Sequence, residues 1–588
     1  MTRGADLIRR RVSMTTRSEL RAKRDAAERE KLDVEFMPWA LRVPEPKAAL
    51  DFDRFPFQRE LYEAGANQRE LVVKKATQIG VSAWLVRWSM YHADTKGWTS
   101  LYVFPTASQL YDFSDARVKT LIDGSDYLSG RASRRDVQNK GLKRIGLGFV
   151  YFRGSEVKRA LDSVDADTIA FDEYDTLTQE NIPDAERRVS GSQHGLIRRV
   201  GVPSVPEFGV SGQYEASDKR RWMVKCGCGT WQHIDFWENV DQDRVLVVCR
   251  QCRKPLDVGV GEWVAEFPDR DIRGYHAPRL IVPRVATNEN GALASIVKAS
   301  KATRPYEVTT FHNKDLAEEY APEEGRLTSA VLQAAQSAGG FYYMETGYGG
   351  VNLVTMGVDV ASTRALNVRI SEHLGDGVKR ALWIGECDSF NEVAEKMREF
   401  RVNMACVDHL PEHRMAMGLA NQFPGIVYLV NYSAPKDGAV MVVREETRTV
   451  SIRRTEAIDA MMAVMREQRN WLPVDLPEGY GAQMRALVRH ATIDDVDKVV
   501  VGYKKTGPDD YAQAEVYDLV ASEMWLYRQA VVAGAQRTEV VPLEDHLEFE
   551  RSQVGDPASM GYHAGPNMGD AAFEVFDDDE AEDDPEDY

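Results

Sequence analysis

The chain has 588 residues, too many for one hydrophobic core, and three or four folding units are expected at roughly 150 residues per domain. Hydrophobic residues at 43% and charged residues at 28% exclude a mostly disordered chain, and no run of about 18 apolar residues points to a membrane span. The net charge of −18 is uneven: residues 1–31 carry ten Lys/Arg against five Asp/Glu, and residues 577–587 hold nine acids and no base, so a nucleic-acid partner is not excluded.

The opening MTRGADLIRRRVSM has no apolar core and is not expected to be a secretory signal. Residues 1–50 read as a basic arm and linker: the arm is 1–35, with Arg9, Arg10 and Arg11 clustered, and Pro44 and Pro46 mark the linker. From 51 the pattern alternates. ELVVKKA (70–76) predicts a strand and VSAWLVRWSMYHA (81–93) a helix of apolar period near 3.6; SLYVFPT (100–106), DTIAFDEYD (167–175) and RRVGVPS (198–204) predict further strands. Such alternation predicts a parallel α/β sheet with ligands at strand C-termini, over 51–340. Residues 222–256 interrupt it with four of the six cysteines. A last block, 341–535, opens with strands at 351–360, 365–373 and 380–388, then a helix near 391–401 and strands at 404–410 and 425–432. This β-β-β-α-β order is that of a ribonuclease H-like fold. Residues 536–588 lose periodicity and read as an acidic, disordered tail.

Several constellations carry chemistry. Lys75-Ala76-Thr77-Gln78-Ile79-Gly80-Val81-Ser82 follows a strand and opens a helix, like a phosphate loop G-x-x-x-x-G-K-[ST]. Gly80 and Ser82 hold the closing glycine and the Mg²⁺-binding hydroxyl, but Val81 replaces the lysine, and Lys75 is the cation left to reach the β/γ-phosphates of ATP. Asp172 and Glu173 end an apolar strand, suited to a Mg²⁺ shell and to activation of water. Gln58, 17 residues before Lys75, is placed to read an adenine edge. Cys226-Gly-Cys228 and, twenty residues on, Cys249-Arg-Gln-Cys252 read as a structural zinc ribbon with a shortened first knuckle. Six cysteines in a chain this long are no disulfide scaffold and suit a reducing compartment. Asp359 in the first strand of the last block and Asp408 ending the fourth would converge in a ribonuclease H-like fold, and Asp510, which with Asp509 opens a helix, could supply a third oxygen ligand; such carboxylates bind Mg²⁺ or Mn²⁺ for phosphodiester hydrolysis.

These residues, with FQRELYEA, GVPSVPEFG, SDKRRWMVKCGCG and FHNKDLAEEY, resemble the large terminase subunit of tailed double-stranded DNA bacteriophages, the lambda-like branch in particular, over about 50–535. The resemblance implies an N-terminal P-loop ATPase of the ASCE type with a zinc-ribbon insertion, followed by a ribonuclease H-like nuclease. It implies Lys75, Thr77, Gln78, Gly80 and Ser82 at the nucleotide, Asp172 at Mg²⁺, Glu173 as catalytic acid/base, Ser204 in a coupling motif, and Asp359, Asp408 and Asp510 as nuclease metal ligands, with Asp509 and Asp518 as rivals for the third place. It also implies double-stranded DNA, a small terminase subunit and a portal as partners, a homo-oligomer when packaging, a trans-acting arginine (Arg153 or Arg159 are candidates), and the host cytoplasm. The alternative reading is a zinc-ribbon DNA helicase or remodelling ATPase with an inactive nuclease module.

Overall fold

The computed structural model describes residues 35–43, 50–63, 65–132, 138–322, 325–375, 377–433, 440–493, 499–532 and 574–575. The basic arm and the acidic tail therefore lie outside the described residues, apart from Glu35 and Glu574–Val575. Two compact units divide the chain, Met1–Thr303 with Glu307–Tyr320, and Ala321–Tyr588 with Arg304–Tyr306. The helix Ser329–Ala338, drawn with the first block in the sequence, buries Leu332 and Ala335 in the core of the second unit. No helix among the described residues is long and apolar enough to cross a membrane.

The first unit is built on one sheet of β1 (Glu70–Lys75), β2 (Thr99–Phe104), β3 (Leu142–Ile145), β4 (Gly148–Gly154), β5 (Thr168–Phe171), β6 (Leu196–Gly201), β7 (Arg220–Lys225), β8 (Trp231–His233), β9 (Gly261–Val264) and β10 (Arg273–Ala277). Its order is β9-β7-β10-β1-β6-β5-β2-β4-β3, with β8 pairing β7 and the short strand Gln138–Asn139 beyond β3. From β7 to β4 all neighbours run parallel, and the outer strands β9 and β3 are antiparallel. The unbroken apolar runs have a direct cause. Leu71 and Val73 face one core cluster and Val72 the other; Tyr102 and its neighbours Leu101 and Val103 split in the same way. A strand covered on both faces needs no polar alternation.

Helix α1 (Val81–Tyr91) leaves β1 through the candidate loop and is buried on nearly every side. Its indoles are satisfied there: Trp84 Nε1 donates to the Leu61 carbonyl (3.1 Å) and Trp88 Nε1 to Ala66 (3.2 Å). Two differences from the sequence reading matter for the site. The strand expected at 167–175 stops at Phe171, because Glu173 turns into left-handed backbone at φ 52°. The cysteine-bearing segment, expected to interrupt the alternation from residue 222, begins within the sheet: β7 joins the parallel strands beside β10, and β8 and β9 extend that edge.

The second unit carries β11 (Val354–Ser362), β12 (Ala365–Gly375), β13 (Val378–Cys387), β14 (Met404–Asp408), β15 (Val427–Tyr432), β16 (Met441–Arg444), β17 (Thr449–Ile452) and β18 (Asn470–Trp471) in the order β18-β13-β12-β11-β14-β15-β17-β16, with Glu574–Val575 beside β16. β13, β12 and β11 form an antiparallel meander, and β14 and β15 continue it in parallel with β11, the ribonuclease H-like arrangement. β19 (Leu487–Ile493) and β20 (Val499–Lys505) make a separate antiparallel hairpin. Helices α2 (Phe390–Glu399), α3 (His413–Gln422) and α4 (Arg454–Arg466) flank the sheet, and α5 (Asp510–Val532) lies on β11. Gly357 makes that approach possible: a Cβ there would sit 2.0 Å from the Ala514 carbonyl oxygen and 2.2 Å from the Asp518 nitrogen.

Candidate functional sites

The loop after β1 alternates handedness. Gln78 (φ 59°) and Gly80 (φ 82°) are left-handed, so successive N–H groups turn inward into an anion-binding nest at the start of α1. A Cβ at position 80 would lie 2.7 Å from Gln58 Nε2. Gln58 itself is buried and donates to the Ile79 carbonyl at 2.5 Å, so its amide braces the loop from behind. Thr77 is tied down twice, its N–H (2.9 Å) and Oγ1 (3.2 Å) both donating to the Lys314 carbonyl.

Lys75 is the cation at this loop. Its buried Nζ lies 3.2 Å from Glu173 Oε1. Burial works against its charge, but Glu173 and then Asp172 outweigh burial, and its pKa is raised. Asp172 Oδ1 accepts from Ser82 Oγ (3.1 Å) and from the Glu173 N–H (3.0 Å), and Oδ2 accepts from Tyr102 OH (2.7 Å). Burial, then the neighbouring Glu173 charge, pushes the Asp172 carboxyl up, and Lys75 offsets part of this. The loop, the hydroxyl and both acids thus meet at the C-terminal ends of β1 and β5. A serine hydroxyl and a carboxylate oxygen at hydrogen-bond distance are the donor set a hard cation takes.

Ser204 lies just past β6 and donates to Asp175 Oδ2 at 2.5 Å, three residues after Asp172. Its carbonyl accepts from Asn313 Nδ2 (3.0 Å) and the Tyr320 N–H (3.1 Å). Of the two candidates for a trans-acting arginine, Arg153 donates to the Gly141 and Phe152 carbonyls at 2.8 Å each, and Arg159 is exposed on a short helix.

Among the described residues, Cys226, Cys228, Cys249 and Cys252 are the group of ligating side chains gathered tightly enough for one ion, with sulfurs within 4.8 Å of one another. A one-residue knuckle therefore closes as well as a two-residue one. Gln232 supports it from behind, donating to Cys249 Sγ (3.3 Å) while its Oε1 accepts from Asn239 (2.8 Å) and the Arg250 N–H (3.0 Å). Four soft thiolates fit zinc and leave no open position for chemistry.

In the second unit Asp359 sits mid-sheet on β11, Asp408 at the end of β14, and Asp510 at the start of α5. They come close enough to interact: burial, then Asp408, Asp510 and Asp509, raise the Asp359 carboxyl to about 8. Burial also raises Asp408, whose Oδ1 accepts the Leu410 N–H at 3.1 Å. The carboxylates are not drawn as tightly as the cysteines; uncompensated like charges repel. The two rivals are otherwise engaged. Asp509 is buried, 2.6 Å from Lys505 Nζ through Oδ1 and 2.6 Å from Gln513 Nε2 through Oδ2. Asp518 lies in a buried network, accepting from Thr355 (2.6 Å), Ser371 (2.6 Å) and Lys379 (2.8 Å); despite burial, Lys379 and Arg369 hold its pKa down.

Sequence reasoning missed Tyr102, Asp175, Lys314 and Lys505. Tyr102, Asp175 and Lys314 meet partners far away in the chain, whereas Lys505 lies only four residues before Asp509, a local spacing that singled out no site by itself.

With this geometry in view, the molecule is a parallel-sheet phosphate-loop fold joined to a ribonuclease H-like fold. Residues 45–260 match the family model described as phage terminase large subunit gpA, ATPase domain. No curated protein sequence matches the chain. Among solved structures, the HK97 bacteriophage large terminase is similar with a TM-score of 0.50 at 12% identity, covering 82% of this chain and 98% of that one. The large terminase of the thermophilic bacteriophage D6E aligns at 10% identity over 79% and 97% of the two chains, with a TM-score of 0.28. The large terminase ATPase domain of Thermus phage P74-26 aligns at 13% identity over 44% and 92%, with a TM-score of 0.27. Residues 45–260 are thus similar to the phage large-terminase ATPase domain, and the fold is similar to that of the HK97 large terminase.

Proposed function

We propose that the chain is a DNA-packaging motor: its first unit hydrolyses ATP to drive viral double-stranded DNA into a procapsid, and its second unit cuts concatemeric DNA. The observation that carries the reading is the pair of contacts at the loop, Lys75 on Glu173 and Ser82 on Asp172. Lys75 stands in for the cation missing at Val81. Without nucleotide it occupies Glu173; a γ-phosphate arriving in the nest competes for the ammonium and frees the carboxylate. Glu173 then takes a proton from the water that attacks the γ-phosphorus, while Lys75 and the nest N–H groups balance the charge on the phosphate oxygens. Mg²⁺ held by Asp172 and Ser82 would neutralise phosphate charge. Ser204, bonded to Asp175 beside the acidic strand, is the coupling residue. Thr77 and Gln78 shape the loop, and Gln58 braces it.

In the nuclease unit the proposed ligands are Asp359, Asp408 and Asp510, because Asp509 and Asp518 are spent on other partners. Divalent ions held there would activate water for in-line attack on a backbone phosphate. The raised Asp359 fits such a site, since a cation relieves the crowding that a proton otherwise relieves. ATP hydrolysis is assigned to the block expected at 51–340 and cleavage to that at 341–535. The partners proposed are a portal, a small terminase subunit and further copies of this chain in the host cytoplasm, with zinc structural.

Crossed variants test the reading. Glu173→Gln is expected to lower ATP turnover by about 10²-fold or more while ATP still binds and DNA is still cut. Asp359→Asn is expected to abolish Mn²⁺-dependent cleavage with ATP turnover intact. Strand displacement without cleavage in the unmodified chain would favour the helicase alternative instead.

A further inference from the structure

Resting on the nuclease reading above, we propose that Lys505 binds a non-bridging oxygen of a DNA backbone phosphate beside the Asp359–Asp408–Asp510 cluster, and that Asp509 is its positioning residue. Lys505 ends β20, and Thr506 pins the following turn by donating from N–H (2.8 Å) and Oγ1 (3.1 Å) to the Ala486 carbonyl. The chain then enters α5 through Asp509. That carboxylate is 1% exposed and both its oxygens are occupied, one by Lys505 and the other by Gln513. Gln513 is held in turn by the Tyr432 hydroxyl. Asp509 is therefore a poor metal ligand and a good anchor.

The lysine it anchors is half-exposed, with 50% of its side chain open to solvent. A half-exposed ion pair adds little to folding stability, so stability does not account for the placement of this cation. The charge sits at the edge of the cluster: Lys505 Nζ lies 2.6 Å from Asp509, the residue directly before Asp510. Carboxylates alone repel a DNA backbone. A fixed ammonium at their edge gives one phosphate a foothold and sets the register of the strand over the acids, which is what backbone contacts do in nucleic-acid complexes.

The test uses the full chain and a short DNA duplex, with binding measured in EDTA across a salt series and cleavage measured in Mn²⁺. Lys505→Ala is expected to weaken binding several-fold, to reduce the slope of log K against log salt by about one, and to raise KM for DNA more than it lowers kcat. Lys505→Arg is expected to restore the slope, and Asp509→Asn to reproduce the KM rise with an intermediate slope. An unchanged affinity and slope in Lys505→Ala, or an Arg variant as defective as Ala, would overturn the proposal. Asp359→Asn separates the two readings. If the unmodified chain cleaves and Asp359→Asn does not, the nuclease reading stands, and the binding arm alone decides on Lys505. If the unmodified chain does not cleave, the nuclease reading falls, and so does Lys505 as part of a cleavage site.

Discussion

At Lys75 three side chains that the sequence scatters over about a hundred positions become one electrostatic unit. The Lys75 ammonium and the Asp172 carboxyl are buried with Glu173 at their rim, and the charges of Lys75 and of Asp172 each depend on the other two groups. The loop motif was legible from Gly80 and Ser82, and the missing lysine at Val81 was legible as a gap. That Lys75 reaches Glu173 was not, because a strand-end side chain takes its direction from the sheet register. Gln58 shows the same limit: its position before the loop was visible in the sequence, but its amide donates to Ile79 because Gly80 leaves room for it. Another single residue carries a pH dependence. His92 is fully buried, stacked on Trp98 at 4.8 Å, and burial followed by the Arg198 charge lowers its pKa from 6.5 to about 3. The unfolded chain therefore takes up a proton near pH 6.5 that the folded chain refuses. The stability this residue contributes is present above that pH and is lost as pH falls toward 3. Urea unfolding at pH 5 against pH 7 is expected to show a loss of about 2 kcal/mol from this site, which His92→Phe removes.

Elements, rather than residues, decide the candidate metal centres. The cysteine pairs were readable from spacing, and the sheet edge explains why they meet: β7 carries Cys226 off its end, and the turn at Gly229 returns the chain along β8 toward Cys249. One zinc per chain is expected by elemental analysis; Cys249→Ser is expected to lose it, whereas Gln232→Ala is expected to keep it with about 10–100-fold weaker affinity in a chelator competition. Helix α5 poses the opposite case. Sequence offered Asp509, Asp510 and Asp518 on or beside one helix with no means of choosing. The choice follows from how α5 is rotated, and that is set by Gly357 beneath it and by a buried network in which Glu515 accepts from Arg369 (2.8 Å), Tyr480 (2.7 Å) and Asn470 (2.9 Å). Every member is satisfied, so the network specifies one orientation. Glu515→Leu strands Arg369 without its buried partner and is expected to cost about 3–5 kcal/mol by denaturant titration, with cleavage lost through misplacement of Asp510.

At the scale of the whole molecule a chain of net charge −18 is proposed to grip DNA. Such binding must come from local cations against the phosphate backbone, so affinity is expected to fall steeply and linearly in log K against log salt, with a slope that reports the phosphates contacted. A salt-insensitive affinity in a filter-binding titration would count against a backbone-gripping motor.

What the sequence determined by itself was the pair of folds and the types of group at each site. Apolar runs long enough to be covered on both faces, the switch from helical to strand period, and the spacing of cysteines are local properties, and local chemistry writes them directly. Only the tertiary structure decided which candidates meet. Lys75 meeting Glu173, Asp175 holding Ser204, and Asp518 withdrawn into the core all depend on contacts between distant segments. Sheet order and helix rotation create those contacts, and neither leaves a periodic trace along the chain.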